Sequence, residues 1–208
     1  YPIIGHSQDG QLAPPNPRLS SAPVTLSSAS QSLRLLNIDE SQMLFSVANN
    51  QGKALVGLIL SGVSVDELPL IKKGDYNQDY SMLQINNQFS RIISIQKNLA
   101  EVLQALCNNL ADEQTAWSNI KSQEDFLQLL VNIGHDAQIA FPDQLSLDVL
   151  RHTYLTYLAS QGARLNDIEQ VAGYTSPSDL ALYRNVNQQG KLLDLEQVQT
   201  EYPFVVAS

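Results

Sequence analysis

Between Leu150 and Val186 the chain reads as three short helices in a row, and the breaks between them leave little freedom. Gly162 interrupts the first helix, and Gly173-Tyr174-Thr175-Ser176-Pro177 separates the second from the third. Glycine ends helices because it tolerates the left-handed backbone of a C-terminal cap. Ser176 followed by Pro177 supplies a side-chain cap and a residue whose fixed φ suits the first helical position. Arg151 stands near the start of this stretch and Tyr183 near its end. An arginine that can grip a phosphate and a tyrosine that can act as a nucleophile are the first candidates for chemistry.

The upstream chain sets their context. Residues 1–36 hold five of the nine prolines among many Ser, Gln and Gly, and read as a Pro/Ser-rich linker or extended arm. From Asn37 an acidic first turn and the apolar spacing of Met43, Leu44 and Val47 predict a helix, broken at Gln51-Gly52. Ala54 to Ser61 predicts a mostly apolar, central second helix that Gly62 ends, and Val65 to Leu68 a short third one cut off by Pro69. Tyr80 to Ile85 and Phe89 to Ile95, separated by Asn86-Asn87, predict a β-hairpin. Leu99 to Leu110 has one apolar face, Asp112 to Asn119 is a polar connection around Trp117, and Glu124 to Ile133 is a further helix. The expected architecture is α+β and mainly helical, with a small antiparallel hairpin or sheet. Residues 37–190 form its domain and 191–208 a tail whose Leu192, Leu193, Leu195 and Val198 pack either on their own core or on a neighbouring copy.

Composition narrows the function. Twelve basic against 21 acidic residues give a formal net charge of −9, and Lys72-Lys73 is the densest basic cluster. A domain that holds a nucleic-acid backbone by counterion release carries a basic face, so the charge balance disfavours DNA and leaves only a local groove for it. Cys107 is alone, and His6, His135 and His152 lack ligand spacing, so no metal and no cofactor is expected. The apolar run from Ala54 to Val65 is too short and too interrupted to span a bilayer, so no membrane contact is expected. The chain begins at Tyr1, reads as a fragment, and is assigned to the cytoplasm.

Several frames, in order, carry a resemblance. Ser61 to Leu68 follows the buried helix, Arg91 to Ile95 closes the hairpin, and Asp148-Val149-Leu150-Arg151-His152-Thr153 precedes Ala172-Gly173-Tyr174-Thr175-Ser176. Tyr183 stands nine residues beyond Tyr174. Together they resemble the catalytic domain of the tyrosine recombinases, the phage-integrase family. That resemblance implies the integrase fold, DNA as the ancestral substrate, Tyr183 as the nucleophile position and Arg151 as the second of two phosphate-binding arginines. It also implies a depleted set, because Ser64 occupies the first arginine position, Asn86 the hairpin lysine position, Asp148 the first histidine position and Tyr174 the later one. Glu67 matches a structural helper of the family. Asp148, three residues before Arg151, would repel a phosphate and draws Arg151 toward an ion pair with itself or another internal acid.

The resulting expectation is a degenerate integrase-like domain that no longer cleaves DNA and serves as a protein-interaction module, through the domain or by self-association through the tail. The alternatives are a DNA-binding domain without cleavage and an active recombinase using Tyr183. Whether Arg34, Arg91 or Arg164 takes the lost arginine's place is a question of three-dimensional placement.

Overall fold

The structure, a computed structural model, describes residues 24–28, 31–184, 186 and 190–205. Val24–Ser28 (β1) and Gln31–Leu35 (β2) form an antiparallel hairpin. Ile38–Val47 (α1) and Asn50–Ile59 (α2) follow, then Met82–Ile85 (β3) and Arg91–Ser94 (β4), a second antiparallel hairpin. Lys97–Cys107 (α3), Gln123–Asp136 (α4), Leu147–Ser160 (α5), Leu165–Ala172 (α6) and Pro177–Tyr183 (α7) complete the domain. The mainly helical architecture with a small antiparallel sheet agrees with the sequence.

The core is built around α2, whose Ala54, Leu55, Val56, Leu58 and Ile59 are fully buried. This helix touches α1, α3, α4 and α5, which explains why its sequence is apolar on every side. Asn37 caps α1 with a reciprocal bond to Glu40, and Ser122 and Ser146 cap α4 and α5.

Three boundaries differ from expectation. The chain breaks at Ala48-Asn49, not at Gln51-Gly52, because the Asn49 side chain accepts from the Gly52 amide and starts α2 there. Val65 to Leu68 is a turn that runs into a 3₁₀ helix, Leu68–Leu70, and Pro69 sits inside it, where its missing N–H costs nothing. Tyr80 lies outside the strand, at φ 59°. Within the stretch read as linker or arm, Val24–Ser28 and Gln31–Leu35 pair as the β1–β2 hairpin; β2 packs on α5, where the Leu36 amide donates to Thr153 Oγ1 at 3.0 Å. Residues 1–23 lie outside the described residues.

The tail segment 190–205 packs on its own domain. Phe204 is fully buried with its ring centroid 4.9 Å from that of Phe45, and Tyr202 bonds Ser41 at 3.1 Å. Tyr154 and Tyr157 donate to the carbonyls of Thr200 and Glu201. Of the tail's apolar residues, Val198, Tyr202 and Phe204 are buried against this domain, while Leu192 is 57% exposed.

A buried ion pair joins the second hairpin to the rest. The strand register places Arg91 opposite Ile85 on the core face, and its guanidinium meets Glu67 in a bidentate pair at 2.8 and 2.6 Å. Its other N–H groups donate to the carbonyls of Gly62 at 2.8 Å, Phe89 at 3.2 Å and Val171 at 3.1 Å. Gly173 makes room for it: its φ is positive, and a Cβ there would stand 2.8 Å from Arg91 Nη1. Burial alone would raise the Glu67 carboxyl, but Arg91, the Ser64 amide and Asn87 outweigh it and hold its pKa below the ordinary 4.5.

Removing one partner strands the other in the core, so Arg91→Met should cost about 3–5 kcal/mol in urea unfolding. A lowered carboxyl pKa gives stability that is complete above pH 4.5 and is lost as pH falls through the folded value. Acid titration of stability should therefore show a component below that pH in the wild type that is missing in Glu67→Gln. Phe204→Ala should cost about 3–5 kcal/mol by the same urea assay, a loss that is absent if the tail does not pack in cis.

Candidate active site

A cleft of about 410 Å³ opens where α5, the α6–α7 connection and the tip of the second hairpin converge. Ser64, Asp148, Arg151 and Tyr174, four of the residues singled out from the sequence, line it. Two others do not. Asn86 lines a neighbouring cleft of about 230 Å³, while Asn87 reaches the main cleft and donates to Glu67 at 2.7 Å. Tyr183 is 1% exposed and lies behind the wall.

Arg151 sits one turn into α5, and its Nη2 donates to the carbonyls of Ala172 and Tyr174, each at 2.9 Å. These oxygens lie at and just beyond the C-terminal end of α6, where carbonyls lack intrahelical partners and the helix dipole favours a cation. The expected ion pair with Asp148 does not form: among the described residues Arg151 has no carboxylate partner. Its Nη1 is buried without a hydrogen-bond partner among them. Burial first, and then the positive charge of Arg91, lower its pKa from the ordinary 12.5.

None of the three arginines considered for it, Arg34, Arg91 and Arg164, fills the place of Ser64. Arg91 is spent on Glu67 and three carbonyls. Arg34 ties β2 to the carbonyls of Ala140 and Phe141 and to Glu40, and Arg164 pairs with Asp194 at 2.8 Å. Ser64 itself opens the turn, its amide donating to Glu67 Oε2 at 2.8 Å.

The walls are acidic. Asp66, Asp148 and Asp179 line the cleft, and among the described residues none of them forms an ion pair. Asp179 accepts instead from Ser176 Oγ at 2.7 Å, and Asp66 from Gln123 at 2.7 Å. Tyr174 is 58% exposed at the mouth, its ring 5.5 Å from that of Phe89. No group of three or more His, Cys, Asp or Glu among the described residues could hold a metal ion. No helix among them is long and apolar enough to cross a membrane.

Sequence reasoning missed His152, whose Nδ1 forms a hydrogen bond with the Tyr183 hydroxyl. Burial lowers the imidazole's pKa below 6.5, while Asp179 and Asp148 pull it the other way. Burial, with help from the same two carboxylates, raises the Tyr183 phenol far above its ordinary 10.0, and Arg151 offsets this only in part. A phenolate is disfavoured at this position.

No protein-family model matches the chain. It is 27% identical over 139 residues to the tyrosine recombinase XerC of Corynebacterium efficiens, covering 64% of this chain and 45% of the relative. The chain thus spans less than half the length of that protein. Among solved structures it resembles the XerA recombinase, with a TM-score of 0.64 at 21% identity over 78% of this chain and 62% of that one. It also resembles the Tn1549 transposon integrase bound to transposon right-end DNA, with a TM-score of 0.53 at 16% identity over 72% and 60%. The chain has the fold of the tyrosine-recombinase catalytic domain.

Proposed function

We propose that this domain descends from the DNA breaking-and-rejoining enzymes, does not cleave DNA, and works as a protein-interaction module. The observation that carries the reading is the full commitment of Arg91. A guanidinium has five N–H donors, and all five of Arg91's are used inside the protein. The place of the first phosphate-binding arginine holds Ser64, and the neighbouring arginine has no donor to lend it.

Attack of a phenol on a phosphodiester builds negative charge on the two non-bridging oxygens, and the departing 5′-oxygen needs a proton. Arg151 commits Nη2 to two carbonyls, and its Nη1, without a hydrogen-bond partner among the described residues, is buried. Losing one preorganised donor costs about 10²–10³ in rate. Such losses do not simply add, but here an arginine, a lysine and two histidine-type helpers are replaced together. The carboxylates of Asp66, Asp148 and Asp179 would repel the backbone of a nucleic acid, which supports protein partners over DNA.

A second reading, DNA binding without cleavage, draws on the unpartnered Nη1 of Arg151 and on the DNA-bound state of the Tn1549 integrase. A single phosphate contact is the most that this nitrogen offers.

Incubation with a nicked suicide duplex, which traps the covalent intermediate of a tyrosine recombinase, should give no protein–DNA adduct on a denaturing gel. An adduct that disappears in Tyr183→Phe would return the domain to the active enzymes.

A further inference from the structure

Tyr183 ends α7, is buried, and is absent from the cleft lining, whereas His152 forms part of that lining. His152 follows Arg151 on α5, so the two side chains diverge: the guanidinium turns to the carbonyls of Ala172 and Tyr174, the imidazole to the phenol. The two rings lie 6.0 Å apart at 41°. We propose that His152 is the positioning residue of Tyr183, its Nδ1 latching the phenol oxygen between α5 and α7 and out of the cleft.

The latch goes beyond the loss of phosphate-binding donors, since it concerns where the phenol sits and holds whether or not the domain cleaves DNA. The neutral imidazole has one acceptor nitrogen. With the ring proton on Nε2, Nδ1 takes the phenol's hydrogen and the O–H points at His152. Asp148, Asp179 and Arg151 are the charged groups that act on the ring. Removing the imidazole leaves the phenol without this partner, next to the cleft wall that His152 had occupied.

Nitration by tetranitromethane, followed residue by residue with mass spectrometry, reads the latch directly. In the wild type, Tyr174 should react readily, because it stands at the cleft mouth, and Tyr183 should resist. His152→Ala should raise the Tyr183 rate about tenfold, the scale of one lost buried hydrogen bond, and His152→Gln should restore most of the protection. Tyr183 reacting as fast as Tyr174 in the wild type, or at an unchanged rate in His152→Ala, would overturn the proposal. If His152→Ala loses cooperative melting, nitrogen NMR of the imidazole decides. Tyr183→Phe should shift the Nδ1 resonance of His152, and an unmoved resonance would overturn the latch.

Discussion

The Arg91–Glu67 pair is the interaction on which the rest of the site depends. It is buried, bidentate and saturated, and it joins three separate pieces of chain: the hairpin strand β4, the turn after α2, and the end of α6 through the Val171 carbonyl. A charge that deep is tolerable only because every lone pair and proton is matched. The same network places the Ser64 amide, through Glu67, and the Gly173 turn, which must approach the guanidinium without a Cβ. The cleft's shape therefore follows from a structural pair, and the pair commits every donor of Arg91.

What remains in the cleft points in opposing directions. Arg151 keeps its position because the open carbonyls at the end of α6 hold it, a role that needs no substrate. Around it stand three carboxylates without cationic partners among the described residues, and behind the wall lies a phenol whose ionisation is opposed by burial and by two of those carboxylates. A site that stabilises an anionic transition state concentrates donors where charge develops. Here four carboxylates, Asp66, Glu67, Asp148 and Asp179, line the cleft against one arginine.

Much of this was legible in the sequence, for identifiable reasons. The glycine and serine-proline punctuation of 162–177 fixed three helices and put Arg151 and Tyr183 in register, because caps act locally. The strand Phe89 to Ile95 was legible, but that Arg91 faces inward with Ile93 came only from the structure, and its carboxylate partner lies 24 residues away where no local signal names it. Asn86, read as the hairpin lysine position, lines a neighbouring cleft while Asn87 reaches the main one, because a turn's exact geometry decides which of two neighbours faces which side. Asp148 three residues before Arg151 suggested an ion pair, yet the arginine found helix-end carbonyls that only the tertiary packing of α6 supplies. His152 was invisible as a partner of Tyr183, since the contact spans 31 residues and two helices. The β1–β2 hairpin escaped notice because its Ser- and Gln-rich strands carry little hydrophobic alternation.

The central claim is that this cleft has kept the recombinase scaffold and lost its grip on phosphate. The salt dependence of affinity for duplex DNA, measured by fluorescence anisotropy, tests it most directly, since each phosphate contact contributes a slope of about −0.9 in log K against log salt. The account predicts binding too weak to saturate or, if any is seen, a slope no steeper than about −1, the single contact Arg151 could make. Saturable binding with a slope steeper than about −4 would mean a continuous phosphate-binding surface and would contradict it.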